Sequence, residues 1–443
     1  MQKNSINLGF RGWMLLIYQA SAFFTFTVFT NFPMNILADM YGGAQKISTI
    51  YTIATFLGIV IQLVLTRFIG KMKSVKAMGA AFGIISLVLA LGIMYISPAQ
   101  QTLWQVVYFL ETLFVILYAT FALGILVGQW FPRRKGTVMG IATFAFPITN
   151  GVIGAFAGAV FNPEYMAASH GVPNVAGAFL PYFIIAVVGL LVGLIFIKDY
   201  PEQCGAYRDN DKSFTPEIAQ AMLAQEIENK KTSVWTLGNT LKNRDFWFVT
   251  IPMGALLMCS VGMMTQTSAM IATYAELNFA TVMAMSCVVA CFGSWLLGVI
   301  DTKIGTKKAV VISVIIMIVG GILGSINGAG WFIAAFVCLS VFEGAASNFT
   351  VSAAAQYWRR EDFSNVFSCV NPIANILQAA GPMMIAAILF TKGCQAVFGV
   401  SAAIGVVCLI LILLFKPSHV KETDDKYRTK AGKVLDDALV GRK

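Results

Sequence analysis

Charge is what this sequence lacks most. Only 12% of its 443 residues are Asp, Glu, Lys or Arg, while 58% are hydrophobic; soluble domains carry roughly a quarter charged residues. That deficit excludes a soluble globular protein and fits a polytopic membrane protein, as does the mean hydropathy of +0.75. Histidine is nearly absent: His170 and His419 are the two copies, both outside the apolar runs. Imidazole-based metal or triad chemistry within a membrane is therefore excluded, and no metal or cofactor is expected. No Gly-x-x-x-x-Gly-Lys-Ser/Thr string occurs, which excludes an ATP-driven pump within the chain. No nucleophile elbow occurs either, so an enzyme is not expected. The eight cysteines form no disulfide framework. Cys259, Cys287, Cys291, Cys338, Cys369 and Cys408 fall in apolar runs, Cys204 in a polar loop, and Cys394 stands alone. Buried cysteine behaves as a small hydrophobe.

What is there, in abundance, is long apolar runs. A span needs about 20 apolar residues, and twelve runs qualify: about 12–37, 47–69, 76–97, 102–130, 136–161, 178–198, 246–274, 281–301, 308–327, 331–357, 364–391 and 394–416. The first run is too long for a signal-peptide core and lacks a cleavage site, so it is read as a span. With the N-terminus placed inside, every Lys and Arg except Lys46 and Lys392 falls on the cytoplasmic side. Positive residues prefer that side. A multi-pass protein of the cell (plasma or inner) membrane with both termini cytoplasmic follows. The net charge of +10 lies in short loops between spans, not on a folded face with interleaved aromatics, so nucleic acid is not an expected partner.

Residues 199–245 are the one long polar interruption, and they divide the chain. Residues 1–198 form an N-terminal six-helix half, 199–245 a cytoplasmic linker, 246–416 a C-terminal six-helix half and 417–443 a cytoplasmic tail. In the linker, Thr215, Pro216 and Glu217 read as a helix start. Ile218, Met222 and Ile227 would form the apolar face of an amphipathic helix, with Glu226 and Lys230 paired across one turn. The tail is charged and lacks a sustained apolar pattern, the mark of a mobile segment. The halves echo each other: Arg133-Arg134 precedes Pro147-Ile148-Thr149-Asn150, and Arg359-Arg360 precedes Pro372-Ile373-Ala374-Asn375. Duplicated halves around a midplane site are a recurring transporter plan. Pro147 and Pro372 remove a backbone hydrogen bond within spans and are candidate hinges or static kinks. The pairs Gly79/Gly83, Gly124/Gly128, Gly154/Gly158 and Gly189/Gly193 suit close helix packing.

With these features the chain resembles the major facilitator superfamily of transporters over residues 10–416. The string from Gly298 through Asp301, Lys303, Gly305, Lys307 and Lys308 is similar to that family's Gly…Asp…Gly-basic-basic loop, with one extra residue between Asp and Gly. The corresponding loop with Arg67, Gly70, Lys71 and Lys73 lacks the aspartate. The resemblance implies an all-α fold of twelve transmembrane helices in two pseudo-symmetric six-helix halves. It also implies a conformational latch built from Asp301, Gly305, Lys307, Lys308, Arg133 and Arg134. Trp130-Phe131-Pro132-Arg133-Arg134-Lys135-Gly136 and Asp199-Tyr200-Pro201-Glu202-Gln203-Cys204-Gly205 resemble the oxalate/formate antiporter and monocarboxylate porter branch. That branch places a basic residue inside the spans to hold a carboxylate, and this sequence has none.

Two carboxylates, Glu111 and Glu343, are the charges deep within the runs. Each lies ~13–18 Å from the nearer predicted span end on its outer side, close to the middle of a ~30 Å core. An ionised carboxylate there costs at least ~2.5 kcal/mol, and no basic side chain in the spans offsets it. Each must be protonated, solvated in a cavity or paired with a cationic solute. Burial favours the protonated acid, which makes both proton-coupling candidates. The alternative is a permanently protonated acid tying helices together.

Candidate solute-binding residues are the intramembrane amides Gln19, Asn31, Asn150, Gln266, Asn348, Asn371 and Asn375, together with Tyr108 and Tyr118. Such amides can equally tie helices, at about 0.6–2 kcal/mol each. Tyr108, Glu111 and Tyr118 share one helix face, and an aromatic-plus-carboxylate face suits an organic cation. Packing is the plainer reading of most of these aromatics, and Trp104 fits an interfacial belt. The expectation is a secondary active transporter. It would move a small organic solute by alternating access, coupled to protons, as a monomer in the lipid bilayer. The alternatives are a monocarboxylate or organic-anion symporter or antiporter without carboxylate-based coupling, and a non-transporting membrane solute sensor.

Overall fold

The structure, a computed structural model, describes residues 7–66, 74–131, 135–213, 215, 217–218, 221, 228, 233–359 and 362–432. Twelve helices are long and apolar enough to cross a membrane. They are α1 (Gly9–Tyr41), α2 (Ala44–Leu65), α3 (Val75–Tyr95), α4 (Pro98–Trp130), α5 (Val138–Ala168) and α6 (Val175–Phe196) in the first half. The second half holds α7 (Arg244–Met264), α8 (Phe279–Ile304), α9 (Thr306–Gly324), α10 (Ala329–Tyr357), α11 (Asn365–Lys392) and α12 (Cys394–Leu414). In lipid every backbone polar group needs a partner within its own segment, which the helix supplies. Polar side chains cap the ends: Ser74 accepts from the Ala77 N–H, Asn243 from Phe246 and Asn278 from Thr281.

Several spans are broken, one of them around the Pro147 that the sequence marked as a hinge or kink. In α1, Pro33 opens a π-helical turn over Pro33–Leu37, since proline cannot donate the normal bond. In α4 a π-turn covers Leu117–Ala122. In α5 the helix is interrupted on either side of Ala145–Gly151, the segment that contains Pro147. The helix of α7 stops at Met264 and resumes as Thr267–Ile271. Pro372 sits inside an unbroken helix, Phe363–Lys392.

The two halves repeat a construction that the sequence did not reveal. The second residue of α3, Lys76, donates its ammonium to the Leu194 carbonyl near the end of α6, at 2.8 Å. The second residue of α9, Lys307, reaches the Phe415 carbonyl beyond α12, at 2.6 Å. A cation at a helix C-terminus satisfies free carbonyls and the helix dipole together.

The halves pack α2 against α11 and α5 against α8. Glycine makes the second crossing close: a Cβ on Gly154 would lie 2.4 Å from Ala280 Cα, and one on Gly151 2.6 Å from Cys287 Cβ. Among the described residues, side-chain hydrogen bonds between the halves lie at mid-depth or toward the face opposite the termini. Asn35, within the π-turn of α1, bridges the break in α7. Its amide nitrogen donates to Met264 O and its oxygen accepts from Ser268 N, both at 3.1 Å. Gln266 donates to Ser48 Oγ at 2.7 Å, and Thr52 to Ala379 O at 2.9 Å.

The tail departs from expectation. Residues Pro417–Lys430 form a helix, α13, docked on the second half. Val420, Asp424 and Arg428 make its buried stripe. Arg359 Nε donates to Asp424 Oδ2 at 2.6 Å, Arg428 Nε to the same oxygen at 3.1 Å, and Arg428 also pairs with Asp362. Trp235, from the linker, donates to Asp424 at 3.0 Å and packs edge-on against Trp358 and Tyr427. The stripe is ionic, so a search for apolar periodicity passes over it. In the linker helix predicted from Thr215, Ile218 is exposed; Met222, Ile227 and the Glu226–Lys230 pair lie outside the described residues.

Two outcomes follow. Removing one partner from a buried ion pair costs about 3–5 kcal/mol. Arg428→Ala, which removes one buried cationic partner from Asp362 and Asp424, should therefore lower the thermal midpoint of the detergent-solubilised protein, while Lys421→Ala on the exposed side should not. Asn35→Ala should speed backbone amide exchange at residues 266–271, measured by mass spectrometry, because Ser268 N loses its acceptor. Exchange unchanged from wild type would contradict the bridging role.

Candidate functional site

Glu343 lies in α10, in the middle of the bundle, half-buried. Its Oε1 accepts from Asn150 Nδ2 of α5 at 3.2 Å. Asn150 Oδ1 in turn accepts from Asn31 Nδ2 of α1 at 3.4 Å. One chain of amides thus runs from the first half to a carboxyl group of the second. Asn150 is buried, and Asn31 Oδ1 is shielded without a hydrogen-bond partner. No ion pair to Glu343 occurs among the described residues. The second carboxyl oxygen has no partner among the described residues and is not among the atoms sealed from solvent. A partly buried carboxyl held by one oxygen can give or take a proton, or receive a hydrogen-bond donor or cation from a solute.

Glu111 sits elsewhere. It is fully buried inside the first half, where Ser86 Oγ of α3 donates to its Oε1 at 2.8 Å. Its Oε2 is enclosed without a partner among the described residues. A group so placed meets water only when α3 and α4 part. The two glutamates are therefore in different environments despite similar depths in the sequence.

The aromatic-plus-carboxylate face of α4 packs inward. Tyr108 donates to Thr30 O at 2.9 Å and stacks on Trp104, which is buried and no interfacial belt residue. Tyr118 is buried against Tyr18, with ring centroids 5.9 Å apart. Residues three and seven apart do share a face, but α1 and α3 cover that face.

The amides divide by partner. Gln19 Nε2 donates to Ala119 O at 2.8 Å within the π-turn of α4, a tie inside the first half. Gln266 belongs to the seam described above. Asn348, Asn371 and Asn375 are half-buried, and among the described residues none has a side-chain hydrogen bond. Asn375 is the repeat counterpart of Asn150, so one member of the pair bonds across the halves and the other is available.

The predicted latch bonds within its own half. Thr306 Oγ1 donates to Asp301 Oδ1 at 2.6 Å, Thr306 N to Gln356 at 2.8 Å and Lys307 N to Tyr357 OH at 2.5 Å. Gly305, at φ +94°, makes the turn between α8 and α9. Lys308 is exposed, and Arg133 and Arg134 lie outside the described residues. The aspartate missing from the matching loop has a substitute from the end of α6. Asp199 accepts from Ser74 Oγ at 2.7 Å and Lys76 N at 2.8 Å. Sequence reading missed this residue because its partner lies over a hundred positions away.

Comparison with known proteins agrees with this architecture. The sequence profile of the Major Facilitator Superfamily matches residues 14–303 and 273–439. The chain is 25% identical over 193 residues to the inner membrane transport protein RhmT of Escherichia coli (strain K12); the match spans 42% of each protein, less than half of the relative's length. Two solved structures share the fold at 14% identity. The E. coli fucose:proton symporter FucP superposes with a TM-score of 0.57, over 90% of this chain and 98% of that one. A POT family transporter in complex with 5-aminolevulinic acid superposes with a TM-score of 0.62, over 93% and 98%. The chain is a multi-pass membrane protein and belongs to the Major Facilitator Superfamily of transporters.

Proposed function

We propose that this transporter moves a small organic solute by alternating access, driven by the proton gradient, with Glu343 as the coupling carboxylate. The observation that carries the reading is the amide chain Asn31–Asn150–Glu343. It brings a titratable group to the boundary of the halves at mid-depth, with no cation among the described residues to neutralise it. A carboxyl group there changes charge only with a proton or a bound solute. Glu111, enclosed in one half, is then a structural tie.

The solute class follows from the same balance of charge. Unpartnered Asn348, Asn371 and Asn375 offer donors and acceptors, and Glu343 offers a negative or proton-donating end. That set suits an uncharged polyol or sugar, or a solute with an ammonium group. It disfavours a simple monocarboxylate, whose charge no intramembrane cation meets. Of the two proteins that share the fold, one is named a fucose:proton symporter and the other is in complex with 5-aminolevulinic acid. The distribution of lysine and arginine supports a cell membrane location with the termini cytoplasmic.

The test begins with a thermal-shift screen of purified protein against sugars, amines and carboxylates. Proteoliposome uptake of the stabilising compound, with and without an inward proton gradient, then follows. Glu343→Gln should abolish gradient-driven accumulation at least tenfold while leaving solute exchange at equal pH. Glu111→Gln should retain accumulation. Undiminished accumulation by Glu343→Gln would rule out the coupling role.

A further inference from the structure

We propose that the Asn150–Glu343 hydrogen bond is a proton-released tie between the two halves, and that Asn150 is the positioning residue that links the charge on Glu343 to rocking. The inference rests on Glu343 being the coupling carboxylate. It adds how a proton on that group would reach the conformational equilibrium.

The geometry carries the argument. Four residues make the other side-chain hydrogen bonds between halves among the described residues: Asn35 bridges Met264 and Ser268, Ser48 pairs with Gln266, and Thr52 with Ala379. All of these partners are amides, hydroxyls or backbone groups, whose bonding does not change with pH. Among the hydrogen bonds between described residues, Asn150–Glu343 alone joins the halves through a titratable side chain. Asn150 cannot turn freely, because Asn31 donates to its oxygen. Its nitrogen is therefore the atom presented to Glu343. A carboxylate accepts from an amide more strongly than a neutral acid does, by about a factor of two in energy. The bond is thus strong when Glu343 is ionised and weakens when a proton arrives.

The surroundings leave Glu343 as the group that switches. The helices packed against α10 are α5, α7, α8, α9, α11 and, at the termini face, the charged tail helix α13. Their titratable side chains inside the membrane are Cys259 of α7, Cys369 of α11, and Cys287 and Cys291 of α8. Glu164 of α5, Arg244 and Asp245 of α7, Asp301 and Lys303 of α8, Lys307 and Lys308 of α9, and Lys392 of α11 lie at helix ends. No lysine, arginine, histidine or second carboxylate pairs with Glu343 among the described residues. The close crossing of α5 and α8 at Gly151 and Cys287 lies one residue along from Asn150. A change at Asn150 therefore acts where the halves already touch.

The test reads conformation without any solute. Spin labels on a ketone-bearing amino acid are introduced at Lys198 and Lys303, one exposed residue in each half near the termini face, so that the native cysteines stay untouched. Pulsed dipolar spectroscopy of the protein in lipid nanodiscs then gives the ratio of short to long distances between pH 5 and pH 8. Wild type should shift that ratio by roughly fivefold to tenfold, the size expected for losing one charge-assisted bond. Asn150→Ala should flatten the shift to under twofold. Glu343→Gln should hold the wild-type low-pH ratio at every pH. If Asn150→Ala does not yield folded protein, Asn31→Ala, which frees the Asn150 amide, should reduce the shift partway. A wild-type ratio that ignores pH, or an Asn150→Ala or Glu343→Gln protein that keeps the full shift, overturns the tie. The coupling reading fails separately, in the uptake assay, if Glu343→Gln still accumulates solute on a proton gradient.

Discussion

A carboxyl group at the boundary of two helical bundles, with no cation paired to it among the described residues, is the constraint that organises this molecule. Left ionised and alone it would be costly to hold. Left neutral and fully enclosed it would have no work to do. Glu343 avoids both ends by binding one amide on one side and remaining only partly buried on the other. The rest of the structure makes that position precarious in a useful way. Close glycine crossings bring α5 against α8, while Asn35 and Gln266 close the seam toward the face opposite the termini. The carboxyl therefore sits at the inner edge of a closed seam, where a modest change in bonding is felt by both halves.

Rigid halves are the second requirement of a rocking transporter, and each half is fastened at the termini face. Lys76 and Lys307 cap the ends of α6 and α12. Asp199 and Asp301 hold the starts of α3 and α9. The tail helix fastens the second half further through Arg359, Asp424, Arg428 and Asp362. Buried ion pairs are poor sources of net stability but strict about geometry, which suits a device that keeps helices in register.

The twelve spans and the family were legible in the sequence, because membrane thickness and charge cost leave strong one-dimensional signals, and the same signals marked Glu111 and Glu343 as candidates. Asn150 was legible too, through its repeat counterpart Asn375. The direction in which Glu111 faces was not. Helical spacing shows that Tyr108, Glu111 and Tyr118 share a face, but not whether α1 and α3 cover it. Trp104 misled for the same reason: its position near a span end fits an interfacial belt, yet Tyr41 stacks on it 4.0 Å away. The docked tail was hidden because its buried stripe is built of Asp424 and Arg428, residues that read as solvated. Asn35 was visible as an amide, but its task depends on a break in α7 that no local pattern marks.

The central claim is that Glu343, and not Glu111, exchanges a proton with water within the working cycle. Infrared difference spectroscopy of the protein in lipid, between acid and alkaline buffer, reads this directly through the carboxyl C=O stretch. The account predicts a titrating carboxyl band that Glu343→Gln removes and Glu111→Gln leaves in place. A band that survives Glu343→Gln and disappears in Glu111→Gln would contradict it.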